Sequence, residues 1–186
     1  VGKDGMVMVN MGVPELNPPA IPFAADRQKT VYTVEVDGQT VELSAVSMGN
    51  PHGVLLVGDV DTASVATLGP LLESHPRFPS RANIGFLQVL DRTHIRLRVF
   101  ERGSGETLAC GSGACAAVVA GQLRGLLDSR VEVELRGGSL VIEWQGDGAP
   151  VMMEGPAKTV FEGQLRLPGD SPVRRRRSPR TAKTRA

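Results

Sequence analysis

The stretch from Ala114 to Ala120, ACAAVVA, constrains the fold more than any other part of the chain. Projected on a helix it is small and apolar on every side, and polar character returns only at Gln122 and Arg124. A helix with no wet face has to be enclosed by the rest of a soluble protein. The flanking sequence is mostly β in character, so the expected architecture is α+β. It is a curved, mostly antiparallel sheet wrapped around one central apolar helix, with small residues allowing close approach.

The strands are read from alternation. Residues 31–43, VYTVEVDGQTVEL, alternate apolar and polar positions about Asp37-Gly38, a pair suited to a tight hairpin turn. Residues 54–57, VLLV, are short and continuously apolar, as in a strand buried on both faces. Residues 61–75 then carry Val65, Leu68, Leu71 and Leu72 at helical spacing, and Pro70 makes that helix short or bent. Residues 84–90 and 94–100 read as strands, the second with Ile95, Leu97 and Val99 on one face and Arg96 and Arg98 on the other. Beyond the apolar helix, Val131, Val133 and Leu135 alternate, Gly137-Gly138 turns the chain, and Leu140, Ile142 and Trp144 alternate again.

At 186 residues and 41% hydrophobic content, the chain can bury one solid core, or one domain with parts of another. No run approaches the ~18 apolar residues of a membrane span, and the start lacks the layout of a signal peptide. A cytoplasmic protein with no membrane partner is therefore expected. The chain begins with valine, and residues 1–13 read like the middle of a sheet-bearing domain, which points to a fragment. From Arg174 onward there are seven basic residues and no acidic one, leaving 14 basic against 20 acidic residues in 1–173, a net of −6. The cationic end reads as a disordered, solvated tail, with nucleic-acid or membrane-surface contact the minority reading, and it is given no part in the chemistry.

Cys110 stands where a glycine-rich loop meets the apolar helix. A helix N-terminus presents unpaired N–H groups and roughly +0.5 of a charge, which favours an anion. A thiolate is such an anion, so Cys110 is expected to be substantially ionised near neutral pH, with the backbone amides of Gly111, Ser112 and Gly113 free for a substrate carboxylate. Cys115, a full turn further inside, reads as a packed small hydrophobe. A zinc site needs about four ligands, and two cysteines with only His52, His75 and His94 elsewhere do not pair as one; no metal is expected. Five residues of helix keep the two thiols from converging in a disulfide, and the lysine of a phosphate-binding loop is absent. Taken alone, Glu106 on its turn, Asn50 and His52 in MGNPHG, and Asn83 in RANIG each read as solvated or structural as readily as functional.

Together these stretches are not independent. MGNPHG, VDTASVATLGPLLESHPRFPSRANIGF, IRLRVFERGSGETLACGSGACAA and MMEGPAKTVFEG, in this order and spacing, resemble the C-terminal half of diaminopimelate epimerases over most of residues 6–168. The resemblance implies an enzyme that uses neither pyridoxal phosphate nor metal and interconverts LL- and meso-diaminopimelate for lysine and peptidoglycan synthesis. It implies two pseudo-symmetric domains, each a sheet around a helix, with the active site in the cleft between them, and commonly a homodimer. Of the two thiols that invert the α-carbon, Cys110 would be the one carried by this half. His52 and Glu101 would orient the substrate ammonium and tune the thiol. Asn50, Asn83 and Arg102 would bind substrate, Arg102 gripping the distal carboxylate, while Gly111 and Ser112 at the helix start hold the reacting carboxylate. Relatives of the same fold acting on other small substrates, such as proline derivatives, are the alternative, as is a non-catalytic remnant.

The second family thiol is not among the chain's residues, since Cys110 and Cys115 are its only cysteines. The expected organisation is a strand segment at 1–15 leading out of a missing N-terminal domain, an epimerase domain at 16–157, a strand at 158–168 returning to the missing domain, and a disordered basic tail at 169–186. Residues 1–13 and 158–167 should then expose apolar edges.

Overall fold

The computed structural model describes residues 5–165. Ten strands and two helices follow in the order β1 (Met6–Asn10), β2 (Tyr32–Val36), β3 (Gln39–Ser47), β4 (Pro51–Leu56), α1 (Val65–Glu73), β5 (Asn83–Val89), β6 (His94–Glu101), β7 (Gly105–Thr107), α2 (Gly111–Leu123), β8 (Arg130–Leu135), β9 (Gly138–Glu143) and β10 (Met152–Pro156). They form one sheet in the spatial order β1-β10-β9-β8-β6-β5-β4-β3-β2, with β7 paired to β6. Its neighbours are antiparallel except β4 with β5 and β6 with β8. Those two parallel pairs are the ones whose connections contain a helix, as a parallel crossover demands.

Helix α2 is the enclosed helix expected from sequence. Residues Gly113 to Gly121 are all buried, packed among Val46, Val54, Leu97, Val99, Val133 and Ile142. It ends where Gly125 takes φ +72° and donates to the Gln122 carbonyl while the Leu126 N–H reaches Gly121, the paired bonds of a glycine-terminated helix. The wrapped-helix architecture is thus observed, but it is one of two layers. On the other face, Ile21, Phe23, Tyr32, Val34, Leu43, Leu72, Phe78, Ile84 and Phe86 make a second core, roofed by α1 and the irregular segments 17–30 and 74–82. Phe23 anchors it, its ring 4.7 Å from Tyr32 and 4.8 Å from Phe78.

Local expectations fare according to how local their causes are. The hairpin turn at Asp37-Gly38 forms with both residues at positive φ, 48° and 73°. The other hairpin turns at Arg136-Gly137, one residue earlier than expected, because Gly138 already pairs with Leu135. The helix expected within 61–75 is the nine residues Val65–Glu73, with Pro70 inside it and Leu71 exposed. The strand read at 54–57 runs Pro51–Leu56 and is not buried throughout: Val54 and Leu55 are buried, whereas Leu56, its last residue, is exposed.

At the margins, β1 pairs with β10 of this same unit and forms one edge of the sheet. Met8 and Val9, on opposite faces of β1, and Val13 beyond it are exposed. Residues 158–165 carry no strand, against the strand expected over 158–168, and Val160, Phe161 and Leu165 are exposed. A strand needs a partner for its backbone groups, and the free edge of β10 is already taken by β1. The rest of that segment, and the basic tail at 169–186, lie outside the described residues. Among the described residues, no helix is long and apolar enough to cross a membrane.

Candidate active site at the mouth of the central helix

Strand direction brings the site residues together. Parallel pairing of β4 and β5 sets His52 beside Asn83, and antiparallel pairing of β5 with β6 sets Ile84 against Phe100, so Asn83, Glu101 and Arg102 meet at one sheet end. Helix α2 begins at that end, capped by Cys110 in an extended conformation whose carbonyl accepts from the Ala114 N–H at 2.9 Å. The approach to Cys110 is fixed by the β8–β9 turn, where the Gly137 N–H donates to the Leu108 carbonyl at 2.8 Å. A side chain at Gly137 would sit 3.1 Å from that same oxygen, a tight contact that glycine avoids.

A hydrogen-bonded chain runs across the site. His52 Nε2 lies 3.0 Å from Asn50 Oδ1, Asn50 Nδ2 donates to Ser112 Oγ at 3.4 Å, and Ser112 Oγ lies 3.7 Å from Cys110 Sγ. Because Asn50 Oδ1 only accepts, the His52 proton sits on Nε2. Burial, and then the Arg102 guanidinium, push the His52 pKa down to about 4, so the ring is neutral at pH 7. Asn83 is buried and bonds at both ends: Nδ2 donates to the Pro51 carbonyl at 3.3 Å, and Oδ1 accepts from the Arg102 N–H at 2.9 Å. The Arg102 side chain lies over the 80–83 segment, donating to the Ser80 carbonyl at 3.0 Å.

The thiol corrects one expectation. The Cys110 pKa is raised above its ordinary value, not lowered. Burial is the largest cause; the Ser112 hydroxyl and Gly113 N–H pull the other way, and the Glu101 carboxylate adds to the rise. In this unit the helix N-terminus is outweighed, and the resting group is the thiol. Cys115 is fully buried and pushed up to about 12, first by burial and then by the Cys110 charge, which agrees with its reading as core.

All eight residues singled out from sequence, Asn50, His52, Asn83, Glu101, Arg102, Cys110, Gly111 and Ser112, therefore surround one helix mouth. Others were missed. Thr107 Oγ1 donates to Glu101 Oε1 and fixes that carboxylate. Glu106 is not solvated: Arg98 holds it in a two-pronged pair at 2.7 and 3.0 Å, and Arg136 adds a third contact at 3.0 Å, tying the loop before Cys110 to β6. Met153 of β10 roofs the helix start, its sulfur 3.0 Å from where a Gly111 Cβ would lie. All three stood in the quoted motifs, Thr107 and Glu106 in the stretch before Cys110 and Met153 in MMEGPAKTVFEG, but only the fold brings Met153 to the helix start.

A family model described as diaminopimelate epimerase matches residues 44–160. A diaminopimelate epimerase of Alkalilimnicola ehrlichii is 65% identical over 164 residues, 88% of this chain and 59% of the relative. That of Pseudomonas aeruginosa strain PAO1 is also 65% identical, over 167 residues, 90% of this chain and 60% of the relative. This chain thus spans about 60% of the length of such relatives. Among solved structures, a probable proline racemase from Agrobacterium radiobacter K84 aligns with a TM-score of 0.57 at 16% identity, covering 90% of this chain and 55% of that one. A hydroxyproline epimerase from Agrobacterium vitis gives 0.53 at 16% identity, covering 82% and 50%. At such identities these two speak for the fold alone, and they agree with a curved sheet about an apolar helix. With a family model spanning more than half of its residues, and with the motif residues gathered at one helix mouth, the chain belongs to the diaminopimelate epimerase family.

Proposed function

We propose that this chain supplies one catalytic half of a cofactor-independent diaminopimelate epimerase, interconverting LL- and meso-2,6-diaminopimelate in lysine and peptidoglycan biosynthesis. The observation that carries the reading is the placement of Cys110 at the mouth of α2, beside Ser112, Asn50, His52 and Glu101. Inverting a carbon that bears ammonium, carboxylate and hydrogen needs a base on one face and an acid on the other. A thiolate removes the α-proton and becomes a thiol; the facing thiol delivers its own proton and becomes a thiolate, so one turnover exchanges the two states. Cys110, protonated at rest, is set to deliver, and it accepts when the reaction runs the other way.

The remaining residues take complementary parts. The first N–H groups of α2, with Gly111 and Ser112, receive the reacting carboxylate and spread its developing charge. Glu101 faces the α-ammonium, and that cation offsets the carboxylate's upward push on the thiol. His52, neutral, adds no like charge against the ammonium and orders Asn50. Asn83 and Arg102 hold the distal end of the substrate, Arg102 as the partner of the second carboxylate. The second thiol would come from the part of the enzyme that lies outside the matched region of the relatives. A homodimer and a cytoplasmic setting complete the proposal.

The test uses a completed enzyme, in which this chain is joined to the part of the Alkalilimnicola ehrlichii relative outside the matched region. In deuterated water it should exchange the α-proton of diaminopimelate and interconvert both stereoisomers by NMR, and leave proline untouched. The chain alone should give no turnover. Sustained epimerisation by the chain alone, or turnover of proline in place of diaminopimelate, would refute the proposal.

A further inference from the structure

Glu73, the last residue of α1, has a carboxylate buried in the outer core at 2% residue exposure. An ionised carboxylate in such a place is costly unless both oxygens are paired. Here Oε2 accepts from Arg81 Nε and Nη2, and Oε1 accepts from the Gly103 backbone N–H at 3.1 Å. The Glu73 main-chain carbonyl also accepts from the Ala82 N–H at 3.0 Å. One residue therefore grips two segments far apart in sequence: the entry to β5, which carries Asn83, and the exit from β6, which carries Arg102.

Both gripped positions are conformationally special. Arg81 takes φ 58° and Gly103 φ 74°, the left-handed region, which a residue with a Cβ adopts only when its surroundings over-determine it. The Arg81 guanidinium on Glu73 is such a determinant. The two segments are then locked to each other, through the Arg102 N–H on Asn83 Oδ1 and the Arg102 Nη1 on the Ser80 carbonyl. We infer that Glu73 is a positioning residue for the distal-carboxylate grip, holding Arg102 and Asn83 at the spacing the second carboxylate requires without touching substrate. The inference rests on the reading under Proposed function for what Arg102 and Asn83 bind.

Two experiments separate it from a role in folding and from failure of that reading. In the completed enzyme, Glu73→Ala should raise KM for diaminopimelate by about tenfold or more while kcat changes less than about threefold; a merely structural loss would lower the active fraction and leave KM alone. Glu73→Gln, whose amide oxygen still accepts from Gly103 but whose NH2 can no longer accept from Arg81, should recover part of the KM and fall between Glu73→Ala and the wild type. In the chain by itself, the Gly103 amide should exchange with solvent about tenfold faster or more in Glu73→Ala than in the wild type, and Glu73→Gln should restore protection. An active wild type whose KM is unmoved by Glu73→Ala, or unchanged Gly103 exchange, overturns the inference. An inactive completed wild type overturns the functional reading, and the positioning role with it.

Discussion

Acid should unfold this domain through His52 before it reaches most of the carboxylates. The ring is 1% exposed, neutral, and committed to Asn50, with a folded pKa of about 4 against an unfolded value of 6.5. The folded pKa is depressed, so between these values the unfolded chain binds a proton that the folded chain refuses. The stability is complete above about pH 6.5 and is lost as pH falls towards 4. At about 1.36 kcal/mol for each pH unit, the full window is worth on the order of 3 kcal/mol. Asp61 and Glu106, bonded by arginines, and Asp91, bonded by the Thr93 N–H and hydroxyl, also have lowered values, and their contributions are lost at lower pH, beneath most of this window. Urea unfolding at pH 7, 6, 5 and 4.5 should show stability falling with a slope near 1 kcal/mol per unit below pH 6, and His52→Gln should flatten it. Parallel pH profiles for the two proteins, or stability that rises on acidification, would refute the assignment of a buried neutral histidine.

Other outcomes follow from the packing and from the proposal. Cys110 stands at the helix mouth at 6% exposure and Cys115 is fully enclosed, so iodoacetamide at pH 7 should label Cys110 first by mass spectrometry, slowly for a thiol of raised pKa and faster as pH rises; equal rates would remove the distinction. A Cβ on Gly69 would lie 2.6 to 2.8 Å from Phe100, so Gly69→Ala should push α1 off β6 and cost about 1–3 kcal/mol in urea unfolding, with no loss expected if α1 does not pack there. Chelators and hydroxylamine should leave turnover by the completed enzyme unchanged, whereas loss of activity that added metal or pyridoxal phosphate restores would contradict a purely thiol-based reaction.

How far the sequence carried the reading depended on the range of the forces involved. The all-round apolarity of 114–120 made an enclosed helix unavoidable, and Asp37-Gly38 set its hairpin, because both are decided within a few residues. The outer core was not legible: Phe23 and Phe78 lie in segments with no periodicity, and only the folded sheet brings them together. The site divides in the same way. Motif residues marked the helix mouth, yet the sign of the Cys110 shift depends on burial and on Glu101, which reaches the thiol only through the geometry of β6 and β7. Glu73 stood in a quoted motif, but nothing local marked its role, since its partners stand 8 and 30 positions away.

The proposed function makes Cys110 an acid and base at the substrate α-carbon. It is tested most directly by solvent deuterium entering diaminopimelate in the completed enzyme, wild type against Cys110→Ala, with Cys115→Ala as the control. Cys110→Ala should lower epimerisation and deuterium incorporation by about a thousandfold or more, in keeping with the usual worth of a positioned proton-transfer group, while Cys115→Ala should keep most of the activity. Deuterium entering at the wild-type rate in Cys110→Ala would contradict the proposed role.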